Sequence, residues 1–268
     1  MPTGEPVMAE INYLGEMDEK PLSYSHNREK GNLVLDGHVM QVQDIRRSNT
    51  TLEKEGVILA DLAMDFDGDL DAAPEKFRSA FANHIHDMTG AGKIIVLPPI
   101  LRWSEPPDPN KVVSSPAPYV HCDFTLDSFH LIMSQVVADD PQKDRWLGGR
   151  YALYQTWLAL SPPPQDKPLA VIDRSTVDPA DLVDGAVMVG PPDNVARYPA
   201  VFSRYNPAHR WYYVSDMTPR DALIFVGCDS GYDTLPGALH TAFQNTACGD
   251  RVIPRISCET RAFIFWGD

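Results

Sequence analysis

Apolar residues recur at helical spacing most clearly in one segment, between residues 71 and 90. Its apolar positions lie three or four residues apart and are Phe77, Phe81, Ile85 and Met88. Pro74 stands where the first turn of a helix accepts proline, and Thr89-Gly90 ends the pattern. We therefore predict a helix that begins near Pro74 and ends at Gly90.

The second half of the chain has the pattern of short strands. Residues 151–158 are rich in aromatic and β-branched side chains, and three consecutive prolines end the run. Four more strands are predicted between Pro, Gly and Asp turns, at residues 169–173, 211–214, 222–226 and 260–266. Short strands preceded by helices are typical of a double-stranded β-helix, or jelly roll. We predict this fold class, mostly β with flanking helices.

The first half contains segments whose pattern is less decisive. Residues 33–45 alternate and are rich in Val and Leu, which predicts one or two strands, and the apolar run at 93–102 predicts a buried strand. Residues 50–64 fit a helix or, equally, part of a strand. Residues 126–137 are apolar with Ser and His interleaved, and fit either helix or strand.

Two segments lack clear periodicity. Residues 1–32 are polar and contain Pro, Gly and Ser, so we expect an irregular N-terminal arm. Residues 178–207 are long, proline-rich and weak in strand signals, which is typical of a loop that encloses a binding site. Since sandwiches and barrels of 268 residues are commonly single units, we predict one jelly-roll domain over residues 1–268.

Charge and cysteine usage exclude some classes of partner and location. A formal net charge of −14, without any Lys/Arg-rich block, argues against DNA or RNA as a binding partner. No run approaches the roughly 20 apolar residues of a membrane helix, and residues 1–20 lack the apolar core of a signal peptide. The four cysteines include no Cys-x-x-Cys pair, which favours reduced thiols in a cytoplasmic enzyme. Whether the chain works as a homodimer or a heterodimer stays open.

The candidate chemistry starts at His121-Cys122-Asp123. On an extended strand, His121 and Asp123 point to the same face, where one metal ion could take both. His240 supplies a second imidazole further along the chain. Two His and one carboxylate on one face of a metal, with the other positions open, form the arrangement of non-haem Fe(II) oxygenases. Arg255 and Ser257 then offer a charged fork and a hydroxyl suited to a small dicarboxylate.

None of these pieces is decisive alone. With eight His and 37 acidic residues, one His-x-Asp pair is expected by chance. Their order along the chain is more informative: His-x-Asp, a later His, and then Arg-x-Ser before the chain ends.

The chain also resembles a known family over most of its length. The matching segments are 43–46, 155–157, 168–173, 209–213, 217–225, Asp229, 240–243 and 255–261. They are similar to the cephalosporin methoxylation component CmcJ, the endoperoxide-forming NvfI, the AsaB-type hydroxylase/desaturases and the fungal gibberellin desaturase. The resemblance implies an Fe(II)/2-oxoglutarate-dependent oxygenase with iron on His121, Asp123 and His240. It also implies that Arg255 and Ser257 bind the far carboxylate of 2-oxoglutarate.

Neighbouring polar residues have competing interpretations. Gln155 and Trp157 share one face of a strand, so we assign Gln155 to the cofactor and Trp157 to the substrate; a core Trp with a satisfied Gln is the alternative. We interpret Arg261 as a structural ion-pair partner of Glu259 or another acidic neighbour. His209 is the weaker rival of His240 for the third ligand position.

Three classes of function follow. The first is an Fe(II)/2-oxoglutarate-dependent oxygenase of specialised metabolism, which would use dioxygen to oxidise an aliphatic C–H bond of a small molecule. Hydroxylation, desaturation, ring formation and endoperoxide formation are its possible outcomes. The second is a cofactor-free, cupin-type metalloenzyme, and the third is a non-catalytic subunit of a heteromeric oxygenase. The first class is our prediction.

Overall fold

A computed structural model describes residues 4–25, 27–106, 114–190, 194–231 and 236–267. The strands of these residues are β1 (Val7–Leu14), β2 (Leu22–Tyr24), β3 (Leu35–Asp44), β4 (Val57–Asp61), β5 (Lys93–Val96), β6 (Ile100–Trp103), β7 (His121–Cys122), β8 (Tyr151–Ala159), β9 (Leu169–Ile172), β10 (Leu182–Val189), β11 (Ala196–Ser203), β12 (Trp211–Tyr213), β13 (Asp221–Asp229), β14 (His240–Ala242) and β15 (Ile256–Phe265). The α-helices are α1 (Ala73–Thr89), α2 (Leu126–Val136) and α3 (Lys143–Gly148).

Two sheets form the jelly roll predicted from the sequence. The larger sheet has the order β1-β3-β12-β9-β14-β7-β11-β10-β2. The smaller one has the order β4-β13-β8-β15-β5, with β6 also paired to β15. Strand β8 is buried over almost its whole length because the larger sheet covers one of its faces and helices cover the other. No helix in the described ranges is long and apolar enough to span a membrane.

The predicted helix and the five predicted strands of the second half are confirmed. Helix α1 buries Phe77, Phe81 and Ile85 against the smaller sheet. It ends at Gly90, whose left-handed conformation (φ 58°) lets its N–H donate to the carbonyl of His86. Strand β15 begins four residues earlier than predicted, at Ile256, and this extension carries several residues of the candidate site.

The undecided segments are resolved by local contacts and by pairing. Within 50–64, residues 57–61 form strand β4 rather than a helix, since they pair with β13. The prediction of one buried strand at 93–102 is wrong, since the structure has two largely half-buried strands there, β5 and β6, that both pair with β15. Residues 126–136 form helix α2, because Thr125 and Ser128 make reciprocal capping hydrogen bonds at its start.

The prediction of an irregular arm over residues 1–32 is wrong for its described part, residues 4–25 and 27–32. Strand β1 pairs with β3 over eight residues, and β2 pairs with β10. Along β1 the buried residues Val7, Ala9 and Ile11 alternate with exposed Met8 and Glu10. That half-buried pattern was present in the sequence, but the polar residues of the outer face obscured it.

The prediction of a structureless loop over residues 178–207 is also wrong. Strands β10 and β11 pair along eight residues each and form a hairpin in this segment, of which residues 191–193 lie outside the described part. The half of β11 near the turn is exposed while Ala200–Ser203 is buried. Because the burial changes midway along the strand, no single period runs through the segment.

Candidate active site

Pairing between two short strands brings the two candidate imidazoles together. Strands β7 and β14 are antiparallel neighbours, and His121 lies directly opposite His240. Their ring centroids are 4.4 Å apart. Directly opposed residues point to the same face of a sheet, so both imidazoles enter the space between the two sheets.

Each imidazole is oriented by a backbone carbonyl. Nδ1 of His121 lies 2.9 Å from the carbonyl oxygen of Tyr119, and Nδ1 of His240 lies 3.1 Å from that of Ala238. Since a carbonyl oxygen only accepts hydrogen bonds, each Nδ1 carries the proton and each Nε2 keeps its lone pair. This is the arrangement in which a His coordinates a metal through Nε2.

Asp123 completes a three-residue cluster. Its Oδ1 lies 3.7 Å from Nε2 of His121. One ligand atom from each of His121, Asp123 and His240 lies within 4.8 Å of the others. Two imidazole nitrogens and one carboxylate oxygen on one side of a common point, facing a cavity, fit an Fe(II) ion with open coordination positions.

The protonation states of the cluster favour a cation. Burial, reinforced by neighbouring His240, lowers the pKa of His121 to about 4, and burial also lowers the pKa of His240. Burial opposes ionisation of Asp123, but Arg261 and the two imidazoles hold the pKa of this carboxyl well below its ordinary range. At neutral pH the cluster therefore presents two neutral imidazoles and one carboxylate, the forms that bind metal.

The second oxygen of Asp123 is occupied by protein donors. Arg261 Nη2 donates to Oδ2 at 2.5 Å, and Gln155 Nε2 donates to it at 3.1 Å. The predicted ion pair of Arg261 with an acidic neighbour is confirmed, and its nearest partner is Asp123. Gln155, which was predicted to contact the cofactor, also donates to this carboxylate through its Nε2.

A partly buried ion pair that was not predicted as part of the site lies next to Arg261. Arg102 donates to both oxygens of Glu259, with two contacts of 2.7 Å. Burial opposes ionisation of Glu259, but Arg102 lowers its pKa to about 2. A signal was available, because Arg255, Ser257, Glu259 and Arg261 alternate along one strand and therefore share a face. Starting the predicted strand at residue 260 hid that relation.

At the other end of the cavity lies Arg255, and Ser257 follows it two residues later on the same strand face. Arg255 is only 2% exposed, its Nη1 donates to the carbonyl of Lys167, and its guanidinium lies 5.3 Å from the ring centroid of Trp157. Burial, with Arg102 nearby, lowers the pKa of Arg255 to about 9. A guanidinium this buried favours an anionic ligand beside it.

Unpartnered polar atoms support such a ligand. Eight buried side-chain polar atoms in the described ranges lack a hydrogen-bond partner. Four of them belong to residues that line the cavity, Gln155 (Oε1), Thr156 (Oγ1), Trp157 (Nε1) and Arg255 (Nε), and a fifth is Oγ of Ser257, two residues after Arg255. Buried polar groups are normally satisfied, so this cluster fits a polar molecule such as 2-oxoglutarate.

One cavity connects the two ends. It is lined by His121, Asp123 and His240 at one end and by Arg255 and Trp157 at the other. Ser257, which was predicted to bind the cofactor, does not line the cavity. It lies on the same strand face as Arg255. His209 lies elsewhere, between the hydroxyl of Tyr13 and the carboxylate of Asp181. It is therefore not the third member of the cluster.

Comparisons with known proteins agree with this geometry. A family model described as an oxidoreductase/YMDC permease-like domain matches residues 11–265. The hydroxylase/desaturase efuI of Hormonema carpetanum is 27% identical over 292 residues, which cover 96% of this chain and 94% of efuI. The Fe(II)/2-oxoglutarate-dependent dioxygenase nvfI of Aspergillus novofumigatus is 26% identical over 205 residues, covering 74% of this chain and 69% of nvfI.

Two further comparisons extend the similarity. The hydroxylase/desaturase asaB of Aspergillus flavus is 31% identical over 147 residues, covering 51% of this chain and 62% of asaB. A solved structure of the iron and alpha-ketoglutarate-dependent endoperoxidase NvfI matches the fold with a TM-score of 0.80, at 22% identity and over 100% of both chains. The family model covers most of the chain, which therefore belongs to the oxidoreductase/YMDC permease-like family, and the chain is similar to Fe(II)/2-oxoglutarate-dependent enzymes of the NvfI and AsaB type.

Proposed function

We propose that this protein is an Fe(II)/2-oxoglutarate-dependent oxygenase of specialised metabolism that oxidises an aliphatic C–H bond of a small molecule. One observation carries the proposal. Two neutral imidazoles and a carboxylate converge at one end of a buried cavity, and an incompletely paired guanidinium lies at its other end. A metal and a small dicarboxylate would satisfy both ends at once.

The residues divide the work as follows. His121, Asp123 and His240 hold the iron through two Nε2 atoms and one carboxylate oxygen. Arg255 and Ser257 bind the far carboxylate of 2-oxoglutarate, and the ring of Trp157 keeps the guanidinium of Arg255 in place and shielded from water. When bound, iron, 2-oxoglutarate and dioxygen together supply the oxidant that removes a hydrogen atom from the substrate, with succinate and carbon dioxide as co-products.

The substrate is proposed to lie in a groove next to the cluster, which we call the α2–hairpin groove. This groove has a volume of about 1140 Å³, and Asp123, Leu131 of helix α2 and Tyr198 of the β10–β11 hairpin contribute to its lining. Leu131 and Tyr198 are 59% and 52% exposed, so each leaves apolar surface for a bound molecule. Since β11 pairs with β7 at His121, the hairpin is held beside the iron ligands.

This placement changes the interpretation of two residues. Trp157 lies beside Arg255, away from the α2–hairpin groove, so its predicted substrate contact becomes a contact at the 2-oxoglutarate end. Gln155 keeps a cofactor role through its unpartnered Oε1, while its Nε2 orients Asp123.

We also propose that residues 1–268 act as one domain in the cytoplasm. Both sheets contribute side chains to the cavity that holds the candidate site, which supports one functional unit. Cys122, Cys248 and Cys258 are free thiols, which supports a reducing compartment.

The decisive experiment is anaerobic addition of Fe(II) and 2-oxoglutarate, followed by visible spectroscopy. We expect the weak charge-transfer band of a bidentate 2-oxoglutarate–iron complex in the wild type and its loss in His240→Ala. An Arg255→Ala variant should still bind the metal but need much more 2-oxoglutarate to develop the band.

The same experiment separates the alternatives. A cupin-type enzyme without a cosubstrate would bind iron but show no band, and a non-catalytic subunit would bind no iron. Either result in the wild type would contradict the proposal.

A further inference from the structure

We propose that Arg261, held in place by Glu259 and Arg102, is a positioning residue that makes Asp123 offer a single oxygen to the metal. This inference rests on the proposed function, because it concerns the same iron site. It assigns a function to a partly buried chain of charged residues whose ion pairs would otherwise be only structural.

The carboxylate of Asp123 is divided between two tasks. Its Oδ1 faces Nε2 of His121, whereas Oδ2 accepts hydrogen bonds from Arg261 at 2.5 Å and from Gln155 at 3.1 Å. Arg261 and Gln155 are direct partners across strands β15 and β8, so their side chains approach Oδ2 from neighbouring positions. With two donors on Oδ2, only Oδ1 is free to bind the ion.

Arg261 is in turn anchored by a second ion pair. Its Nη2 lies 3.8 Å from Oε1 of Glu259, and Arg102 holds both oxygens of Glu259 at 2.7 Å. Arg102 also donates to the hydroxyl of Ser114 and the carbonyl of Ser115. The chain of contacts therefore runs from residues 114–115 through Arg102, Glu259 and Arg261 to the metal ligand.

Charge alone would favour a different arrangement. Three guanidinium groups and two carboxylates line the cavity, which leaves one excess positive charge close to a site for a dication. An Arg within contact of a metal ligand weakens the attraction for Fe(II) by simple Coulomb repulsion. Its planar fork, however, fixes a carboxylate in a way that an ammonium group cannot. We infer that geometry outweighs the unfavourable charge at this position.

The consequence concerns the open coordination positions. If Oδ2 were released, Asp123 could rotate away from the two imidazoles or bind the ion through both oxygens. Rotation would weaken metal binding, and bidentate binding would occupy a position that 2-oxoglutarate needs. Either way, the site would lose part of its ability to form the ternary complex.

Arg261→Gln gives the sharpest test, because a charge effect and a positioning effect predict opposite changes in metal affinity. We expect Co(II), titrated into the apo protein and followed by its visible spectrum, to bind ten- to a hundredfold more weakly than in the wild type. If Arg261 acted only through its charge, its removal would tighten Co(II) binding. Wild-type or tighter binding with an unchanged Co(II) spectrum would overturn the proposal.

Arg261→Lys keeps the charge and removes the fork. We expect a Co(II) affinity between those of the wild type and Arg261→Gln, and a Co(II) spectrum that differs from the wild type. If Arg261→Gln does not fold, Arg261→Lys replaces it as the test. A wild-type Co(II) affinity and spectrum in Arg261→Lys would then refute the inference. Arg220→Gln is the matched control, since it removes a surface ion pair to Asp61 of 2.8 Å and should leave Co(II) binding unchanged.

The Co(II) titration also keeps this inference separate from the proposed function. If the wild type binds Co(II) at the cluster but never forms the 2-oxoglutarate band, the oxygenase proposal fails. The Co(II) affinities of the Arg261 variants still decide whether Arg261 positions Asp123.

Discussion

At the scale of single residues, the site depends on which atom of each side chain is left free. The carbonyls of Tyr119 and Ala238 take the Nδ1 protons of the two imidazoles, and Arg261 with Gln155 takes one oxygen of Asp123. The atoms that remain free to bind a metal are Nε2 of His121, Nε2 of His240 and Oδ1 of Asp123. The burial that keeps the two imidazoles neutral also makes them costly to protonate, and this can be measured.

The pKa of His121 predicts how the stability of the metal-free protein depends on pH. Burial lowers this pKa to about 4 in the folded state, while the unfolded chain titrates near 6.5. Between these values the unfolded state binds more protons, so the free energy of unfolding falls as pH falls. We expect the loss to begin near pH 6.5 and to reach roughly 3 kcal/mol by pH 4.

Urea unfolding in the presence of a chelator, at several pH values, measures this dependence. His121→Gln is the comparison, because it removes the group that takes up the proton on unfolding. Its free energy of unfolding should fall less steeply between pH 6.5 and 4. Parallel curves for the two proteins would show that His121 is not the source of the slope.

At the scale of secondary-structure elements, the site depends on a close approach between strand β13 and the segment before β14. The N–H of Ala238 donates to the carbonyl of Val226 at 2.7 Å. A Cβ added at Gly237 would lie 2.1 Å from the carbonyl oxygen of Gly227. Position 237 therefore has no room for a Cβ and has to be glycine. The close contact that Gly237 allows sets the position of His240 three residues later.

Gly237→Ala should consequently weaken both the fold and the metal site. We expect a loss of about 2 to 3 kcal/mol in the free energy of unfolding, since the clash is with backbone and cannot be relieved by a side chain. Co(II) binding should weaken as well, because β14 has to shift. Urea unfolding and a Co(II) titration measure the two effects.

Gly148→Ala is the matched control for this substitution. A Cβ at Gly148 meets nothing within 4 Å, so this variant should unfold and bind Co(II) as the wild type does. Wild-type behaviour in Gly237→Ala would mean that the two backbones can separate without moving His240.

At the scale of the whole molecule, the two sheets contribute different parts of one site. The larger sheet supplies His121 and His240 from β7 and β14, and Asp123 directly follows β7. The smaller sheet supplies Arg255, which directly precedes β15, and Gln155 from β8. A metal and a dicarboxylate would bind across both sheets, so each should stabilise the folded molecule as a unit.

Thermal unfolding under anaerobic conditions tests this coupling. A ligand at a hundred times its dissociation constant stabilises the folded state by about 2.7 kcal/mol, or roughly 5 to 10 °C in Tm for a chain of this size. Mn(II) and 2-oxoglutarate should each add such an increment in the wild type. Arg255→Ala should keep the Mn(II) increment and lose that of 2-oxoglutarate, and an unchanged 2-oxoglutarate increment would show that Arg255 does not bind it.

The sequence by itself determined the elements with a uniform period and the residues with distinctive chemistry. Helix α1 and the five predicted strands of the second half were predictable because each keeps one pattern along its length. His121 and Asp123 were predictable as a pair because their spacing places them on one face of a strand. Strand β1 was missed because the polar residues of its outer face obscured its alternation, and the β10–β11 hairpin was missed because burial changes midway along β11.

Only the tertiary structure decided which distant residues meet. The register of β7 against β14 places His240, and not His209, beside His121. The pairing of β6, β15 and β8 brings Arg102, Glu259, Arg261 and Gln155 to the far side of Asp123. Periodicity reports the face on which a side chain lies, but contact across a sheet depends on register, which arises only when strands far apart in the chain pair.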